Sequence, residues 1–128
     1  MLLDTTFLID LQRELGGGRM RGAGRLLSSH GDAVPWISLV TWMEFAEGYP
    51  AEQEQACRLF LSRFPLILPD AAVAWRASRI SRQLRESGAT IGDHDLWIAA
   101  TALERGLLLV TRNPRHFRRI PDLKTLEY

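Results

Sequence analysis

Short apolar runs alternate along the chain with longer stretches in which apolar residues recur at helical spacing. The short runs predict strands at Met1–Asp4, Val34–Ile37, Leu66–Leu68, Leu107–Val110 and Lys124–Leu126. The run at Leu107–Val110 is apolar throughout, which is typical of a strand covered on both faces, as in parallel sheets. Regular alternation of strands and helices predicts an α/β/α sandwich with a mainly parallel central sheet.

The stretches between these runs predict helices whose ends are marked by capping residues and glycines. Thr5 or Thr6 can cap the first helix, Gly48 ends the third and Gly106 ends the last. The predicted helices cover residues 5–14, 21–29, 38–47, 52–64, 70–87 and 92–106. In the fourth of them, the apolar side chains expected on the buried face are Ala56, Leu59, Phe60 and Phe64.

Four acidic residues border the most apolar segments of the chain. Asp4 ends the first apolar run, Glu44 lies within the third helix, and Asp93 and Asp95 directly precede an apolar stretch. A carboxylate drawn toward a core must be paired, protonated or bound to a cation, because an unpaired buried charge is costly. Ligand crevices in parallel sheets lie at the carboxyl ends of the strands, so Asp4 and the residues after Val110 are expected to be neighbours. The pattern therefore points to a divalent metal site.

Each of the four acids also has a purely structural interpretation. Asp4 and Asp93 are natural helix N-caps, and capping is the favoured interpretation of Asp93. Glu44 could point to solvent between two apolar faces. Asp95 would lie in the first turn of a helix, where the macrodipole stabilises an anion without any chemistry. The acids thus support a metal site as a set and not singly.

Length and composition limit the kind of protein this is. With 128 residues the chain can bury a core without disulfides, so residues 1–128 are expected to form a single domain. Cys57 is the only cysteine, which excludes an internal disulfide, and no cysteine–histidine spacing suggests zinc. No apolar stretch approaches the roughly 20 residues that span a bilayer, and the start lacks the basic segment of a signal peptide. These features predict a cytoplasmic protein without membrane contact.

Charge is informative through its distribution. The formal net charge is +1, and among the 16 basic residues only Lys124 is a lysine. The arginines gather in residues 13–25, 76–85 and 112–119. Arginine binds phosphate through two parallel N–H bonds, which suits a polyanion, but a GC-rich coding sequence would produce the same bias. Composition alone leaves both explanations open.

Several other chemistries lack their motifs. There is no Gly-x-Ser-x-Gly segment for a serine nucleophile, and residues 16–19 lack the Lys-Ser/Thr ending of a phosphate-binding loop. No two histidines have the spacing of a metal-ligand pair, so no role is predicted for His30, His94 or His116. A receiver-like phosphorylation domain would need an acceptor aspartate that ends a central strand. Asp70 has roughly that position, but Pro69 intervenes and an acidic pair at the first strand is missing.

Four segments, in this order and at these distances, resemble the motifs of the PIN-domain ribonucleases and specifically of VapC toxins. The segments are Met1–Asp10 with its acid Asp4, Ile37–Glu44 with Glu44, Ile91–Ala100 with Asp95, and Leu109–Phe117. The resemblance covers essentially the whole chain. Asn113 departs from the pattern, because many PIN nucleases have an acid there, and related toxins often lack an acid at the position of Asp93.

The resemblance implies a Mg²⁺- or Mn²⁺-dependent endoribonuclease that leaves 5′-phosphate and 3′-hydroxyl ends. Its implied catalytic metal ligands are Asp4, Glu44 and Asp95, with Asp93 as a further candidate. Supporting polar roles fall to Thr5, Thr6, Thr111 and Asn113, and the residues expected to hold RNA phosphates are Arg112, Arg115 and Arg118. Hard divalent cations prefer oxygen ligands, which fits this set independently.

The resemblance also implies partners. VapC-like proteins are commonly homodimers that are inhibited by a cognate antitoxin, and the side chains expected on a contact surface are Trp42, Phe45 and Tyr49. The alternative to an enzyme is a PIN-like module that binds RNA or protein without cleaving it, which the absence of an acid at Asn113 keeps open. Metal titration combined with a cleavage assay separates the two.

Overall fold

A parallel sheet of five short strands runs through the centre of the protein. The structure is a computed structural model that describes residues 1–128. The strands are β1 Leu2–Leu3, β2 Trp36–Ser38, β3 Leu66–Ile67, β4 Leu109–Val110 and β5 Thr125–Leu126. Their order in the sheet is β3-β2-β1-β4-β5, and every neighbouring pair is parallel. The prediction of a mainly parallel sheet is confirmed.

Seven helices flank the sheet. They are α1 Thr5–Gly16, α2 Gly22–Ser29, α3 Leu39–Glu47, α4 Glu54–Leu61, α5 Ala71–Glu86, α6 Asp93–Glu104 and α7 Pro114–Phe117. A 3-10 turn at Ala51–Gln53 precedes α4. None of these helices is long and apolar enough to cross a membrane. The short α7 was not predicted, because its four residues carry no periodic pattern.

Adjacent residues of the central strands belong to two separate cores, which shows that both faces of the sheet are covered. Leu3 and Val110 pack with the buried side chains of α1 to α4, whereas Leu2 and Leu109 pack with those of α5, α6 and α7. Successive side chains of a strand point to opposite faces, so each strand contributes to both layers. This arrangement is the predicted α/β/α sandwich.

The buried face of α4 differs from its prediction. Leu59 is 67% exposed and Ala56 is also exposed, while Cys57 is buried instead. The side chains that pack inward are Cys57, Phe60, Leu61 and Phe64. These positions follow the i, i+3, i+4, i+7 spacing of a helix face, which becomes visible once the cysteine is counted as apolar.

The central strands end at one edge of the sheet. Asp4 directly follows β1, Thr111 directly follows β4, and α3 directly follows β2. The backbone N–H of Asp4 donates to the carbonyl of Val110 at 3.1 Å, which fixes the end of β1 against the end of β4. The Ser38 hydroxyl accepts from the Thr41 N–H at 3.0 Å and caps α3. The polar residues after these strands are thereby brought together.

Candidate active site

A pocket of about 340 Å³ at this edge contains all three acids that were expected to bind metal. Asp4 reaches it from the end of β1, Glu44 from α3 and Asp95 from the first turn of α6. The expected supporting residues Thr5, Thr6, Thr111 and Asn113 also line it. No arginine or lysine does. Residues far apart in the chain thus form one strongly acidic cavity.

Asp4 is both the N-cap of α1 and a wall of the pocket. Its Oδ1 accepts from the Phe7 N–H at 2.9 Å and from the Thr6 hydroxyl at 2.7 Å. The N-cap of α1 is therefore Asp4 and not Thr5 or Thr6, so the predicted threonine cap is wrong. Both bonds use Oδ1, so capping does not occupy Oδ2. The two interpretations of this acid are compatible.

Burial is the main influence on the ionisation of Asp4, which is 6% exposed. Desolvation raises the pKa of the carboxyl above its ordinary value. Hydrogen bonding by the Thr111 and Thr6 hydroxyls and by the Phe7 N–H opposes this rise, and the negative charge of Asp95 adds to it. The net direction is upward. A cation in the pocket would stabilise the charged carboxylate and so oppose this rise in its pKa.

Glu44 does not point to solvent but into the pocket, where its side chain is 25% exposed. Its Oε2 accepts a hydrogen bond from the Thr5 hydroxyl. Its Oε1 lies 2.7 Å from Nδ1 of His94. Both oxygens of the carboxylate therefore have a partner that fixes their orientation.

Three residues of the site were missed in the sequence. His94 contacts Glu44, and Nδ1 of His116 lies 3.4 Å from Oδ2 of Asp95. Glu47 also lines the pocket. A signal for Glu47 was available, since residues three apart on a helix share a face and Glu44 was already a candidate. His116 reaches the pocket only because α7 turns it there.

Asp93 is not brought to the pocket. It is the exposed first residue of α6, where Gly92 is the N-cap and no side-chain cap bond forms, so the capping interpretation of Asp93 is wrong. Residues two apart on a helix are rotated by about 200°, so Asp93 and Asp95 leave the helix on nearly opposite sides. Only Asp95 faces the other acids.

Asn113 lies in the pocket at the position where an acid was missing from the fourth motif. Its backbone N–H donates to the buried Thr111 hydroxyl at 3.0 Å. This bond fixes the turn that leads from β4 into α7. The side-chain amide can bind water or a carboxylate at the pocket wall, but it adds no charge.

The donor set suits a hard divalent cation that keeps water ligands. Carboxylate oxygens dominate the wall, and no cationic side chain other than a histidine is present to neutralise them. No three acid or histidine side chains converge closely enough to form a closed metal cage. Mg²⁺ usually takes only one or two protein carboxylates and retains several waters, so an open pocket of this kind fits it.

The arginines expected to hold RNA lie around the pocket and not in it. Arg112 binds Asp10 at 2.7 Å and lines a neighbouring cleft. Arg115 lines a second cleft together with His116. Arg118 is exposed after the end of α7 and lines none of these cavities.

A groove between α3 and α4 contains two of the three aromatic side chains that were expected on a contact surface. Trp42 and Tyr49 line it. Phe45 is 3% exposed and stacks on Phe60 with ring centroids 5.0 Å apart. The expectation that Phe45 is available for contact is therefore wrong.

Residues 1–123 match the PIN-domain family. The chain is 34% identical to ribonuclease VapC1 of Methanocaldococcus jannaschii, over 95% of this chain and 82% of the relative. It is 36% identical to the tRNA(fMet)-specific endonuclease VapC of Shigella flexneri, over 72% of this chain and 74% of the relative. The chain belongs to the PIN-domain family, and the resemblance to VapC proteins is confirmed.

A solved structure supports the same assignment. The fold is similar to that in VapBC2 from Rickettsia felis bound to a DNA fragment from its promoter, with a TM-score of 0.84 and 26% identity. The match covers 99% of this chain and 97% of that one. The PIN-like α/β/α architecture is confirmed by this comparison.

Proposed function

We propose that this PIN-domain protein is an endoribonuclease that requires Mg²⁺ or Mn²⁺ and acts as the toxin of a toxin–antitoxin pair. The observation that carries the proposal is the convergence of Asp4, Glu44 and Asp95 in one pocket without arginine or lysine. The ribonuclease names of the relatives support the same chemistry. The cytoplasm, where RNA and a cognate antitoxin meet, is the expected location.

Asp4, Glu44 and Asp95 would hold the cation, either directly or through water. When bound, the cation supplies an activated water and offsets the charge that develops on the phosphate and the leaving oxygen. Hydrolysis forms a bond from the water oxygen to phosphorus and breaks the bond from phosphorus to the 3′ oxygen. The products then carry a 5′-phosphate and a 3′-hydroxyl.

The neighbouring polar side chains keep the carboxylates in place. The Thr6 hydroxyl and the Phe7 N–H fix one oxygen of Asp4, and the Thr5 hydroxyl fixes one oxygen of Glu44. Thr111 and Asn113 shape the opposite wall. Partners that orient ligating carboxylates in this way strongly influence metal affinity.

RNA is held chiefly through its phosphates, for which Arg112, Arg115 and Arg118 are the arginines nearest the pocket in sequence. Phosphate contacts position a strand but carry little sequence information. A particular RNA would then be recognised by the shape of a single-stranded loop.

An antitoxin protein and a second copy of the chain are the expected protein partners. The Rickettsia felis structure is a VapBC complex, which supports an antitoxin. The half-buried Trp42 and Tyr49 in the α3–α4 groove offer an apolar contact surface for such a partner.

The test is cleavage of RNA by the purified protein with Mg²⁺, with Mn²⁺ and with excess chelator. We expect cleavage only with metal, and loss of cleavage in Asp95→Asn without a change in the circular dichroism spectrum. Asp93→Asn is the matched control, because it removes the same charge two residues away but outside the pocket. Full activity in chelator would overturn the proposal.

The same assay addresses the non-catalytic alternative. A PIN-like module that only binds would retain RNA affinity with metal present and produce no new 5′ ends. Growth arrest on expression of the wild-type chain, with rescue by Asp4→Asn, is the expected result in cells.

A further inference from the structure

Two arginine-lined clefts flank the acidic pocket. The first cleft has a volume of about 610 Å³ and contains Arg13, Arg19, Arg21 and Arg112. The second cleft has a volume of about 330 Å³ and contains Arg115 and Arg119. The first is larger than the acidic pocket itself, whose volume is about 340 Å³.

The clefts lie on opposite sides of the pocket. The first is built on α1 and the start of α2, which pack on one face of the sheet. The second is built on α7 and the loop before α6, and these helices pack on the other face. The acidic pocket lies at the sheet edge between the two layers.

Adjacent or shared residues link the acidic pocket to each cleft. Arg112 of the first cleft lies between Thr111 and Asn113, which both line the acidic pocket. Asp95 and His116 belong to the acidic pocket and to the second cleft at once. A flexible chain can therefore pass from one cleft to the other directly across the acids.

The acids of the first cleft are already occupied. Asp10 binds Arg112 at 2.7 Å and accepts from the Tyr128 hydroxyl at 3.1 Å. Glu14 accepts three backbone N–H bonds, from Arg21, Ala23 and Gly24, at 2.8 to 3.1 Å. Asp10 also lies 3.9 Å from Nη1 of Arg13, and neither carboxylate is within ion-pair distance of Arg19 or Arg21.

Four arginines around the pocket have no acidic partner within ion-pair distance. They are Arg19 and Arg21 in the first cleft and Arg115 and Arg119 in the second. Unpaired guanidinium groups on a concave wall attract anions, and their planar donors fit phosphate oxygens. Because the positive charge recurs on both sides of the acids, it suits a polymer with many phosphates better than a single small anion.

We propose that one single-stranded RNA segment crosses the acidic pocket from the first cleft to the second. Arg19 and Arg21 hold phosphates on one side of the scissile bond, and Arg115 and Arg119 hold phosphates on the other. The inference rests on the proposed ribonuclease function. It adds binding roles for Arg19, Arg21 and Arg119 to those proposed above for Arg112, Arg115 and Arg118.

The test compares three double variants by fluorescence anisotropy in excess chelator, so that no cleavage occurs. Arg19→Ala with Arg21→Ala removes two positive charges from the first cleft, and Arg115→Ala with Arg119→Ala removes two from the second. Arg79→Ala with Arg82→Ala is the control, because it removes the same charge from exposed arginines of α5 that line none of the three cavities. The probe is a fluorescein-labelled single-stranded RNA of mixed sequence and about 20 nucleotides, long enough to span a site of this kind.

Each cleft variant is expected to bind RNA about tenfold more weakly than wild type, and to lower the salt dependence of log K by up to about 1.4 for the two lost phosphate contacts. The control pair is expected to stay within about twofold. The variant that combines both cleft pairs should lose affinity multiplicatively, because one strand occupies both clefts. The control pair on α5 should also leave single-turnover cleavage at saturating enzyme unchanged, because neither of its arginines lines any of the three cavities.

Two results would overturn the strand path. One is affinity in either cleft variant equal to that of the control, and the other is a combined variant no weaker than the weaker single pair. Both are read against a wild-type protein that binds and cuts RNA, so they leave the ribonuclease function intact. A wild-type protein that neither binds nor cuts RNA would overturn both proposals.

Discussion

Asp4 and Glu14 stand at the two ends of α1, and both carboxylates cap a helix. Asp4 caps α1 itself, is 6% exposed and faces further acids in the pocket. Glu14 reaches from the last turn of α1 to three N–H groups at the start of α2, whose own N-cap residue, Arg21, makes no side-chain cap bond. The two capping roles are similar, but the electrostatic surroundings are opposite.

The difference is visible in the pKa of each group. Burial raises the pKa of Asp4 and outweighs its hydrogen bonds. For Glu14 burial also acts upward, but the N–H groups of Arg21, Gly24 and Ala23 outweigh it and lower the pKa. A carboxylate whose charge is offset by hydrogen-bond donors stabilises the fold. A buried carboxylate whose charge is not fully offset favours the binding of a proton or a cation. Partners, rather than position in the chain, therefore separate a structural acid from a functional one.

The largest effect is expected for Asp4→Asn. Asparagine keeps an oxygen that can accept from the Phe7 N–H, so the cap survives while the charge is lost. RNA cleavage should fall by about a thousandfold. The metal-free protein should become more stable by about 1 kcal/mol, because the substitution removes a buried charge from the active site. Cleavage rates and thermal unfolding in chelator measure the two effects. An Asp4→Asn protein that is less stable than wild type would contradict the interpretation that the buried charge of Asp4 destabilises the metal-free fold.

The pH dependence of the metal-free protein follows from the same shift. A folded-state pKa raised above the unfolded value means that the folded state binds the proton more tightly. The contribution of Asp4 to the free energy of unfolding is then largest below its unfolded pKa and is lost as the pH rises through its folded pKa. The Asp4→Asn protein should lack this decline. Chemical denaturation of both proteins across the acidic range, without metal, gives the comparison.

Glu14→Ala should have the opposite consequence for stability. Its loss leaves three N–H groups without their acceptor, which costs about 1 kcal/mol by analogy with the removal of an N-cap, and lowers the Tm by about 4 °C. The lowered pKa implies that this stabilisation is present above the unfolded value and disappears as the pH falls through the folded pKa. The free energies of unfolding of wild type and Glu14→Ala should therefore become equal at low pH. Glu52→Ala, an exposed acid in the 3-10 turn, is the control and should change neither property.

Much of the fold and the centre of the site could be predicted from the sequence because both depend on local patterns. Short apolar runs that alternate with stretches of helical spacing predict a parallel sheet. Acids placed directly after its strands are expected to meet at the carboxyl edge of that sheet. Asp4 was placed in this way, because it directly follows β1. Glu44 and Asp95 were candidates because they border apolar segments, and the resemblance separated Asp95 from Asp93.

The parts that could not be predicted depend on rotation about a helix or on distant packing. The buried face of α4 contains Cys57 and Leu61 in place of the predicted Ala56 and Leu59. The capping interpretation of Asp93 failed because α6 begins at Asp93 itself, with Gly92 as its N-cap. His116 and the pairing of Asp10 with Arg112 join segments whose proximity only the assembled sheet creates.

Glu47→Gln tests whether the pocket uses a fourth acid. Glu47 lies one helical turn after Glu44 on the pocket wall, opposite the uncharged Asn113. Removing its charge should weaken metal binding about tenfold, the lower end of the range for residues that support metal ligands. Titration with Mn²⁺ followed by electron paramagnetic resonance measures this directly. Equal affinity for Mn²⁺ in Glu47→Gln and in the remote control Glu52→Gln would show that Glu47 has no part in metal binding.

The smallest effect is expected for His94→Ala. The imidazole lies 2.7 Å from Oε1 of Glu44 and is about half exposed, and the Thr5 hydroxyl still holds the other oxygen. Metal affinity should therefore fall by only about threefold, less than for a fully buried supporting residue. His94→Gln, which retains a donor, should restore most of the loss. A variant with glutamine as weak as alanine would show that the carboxylate needs the ring itself, and His94 would then join Glu44 as a direct participant in the site.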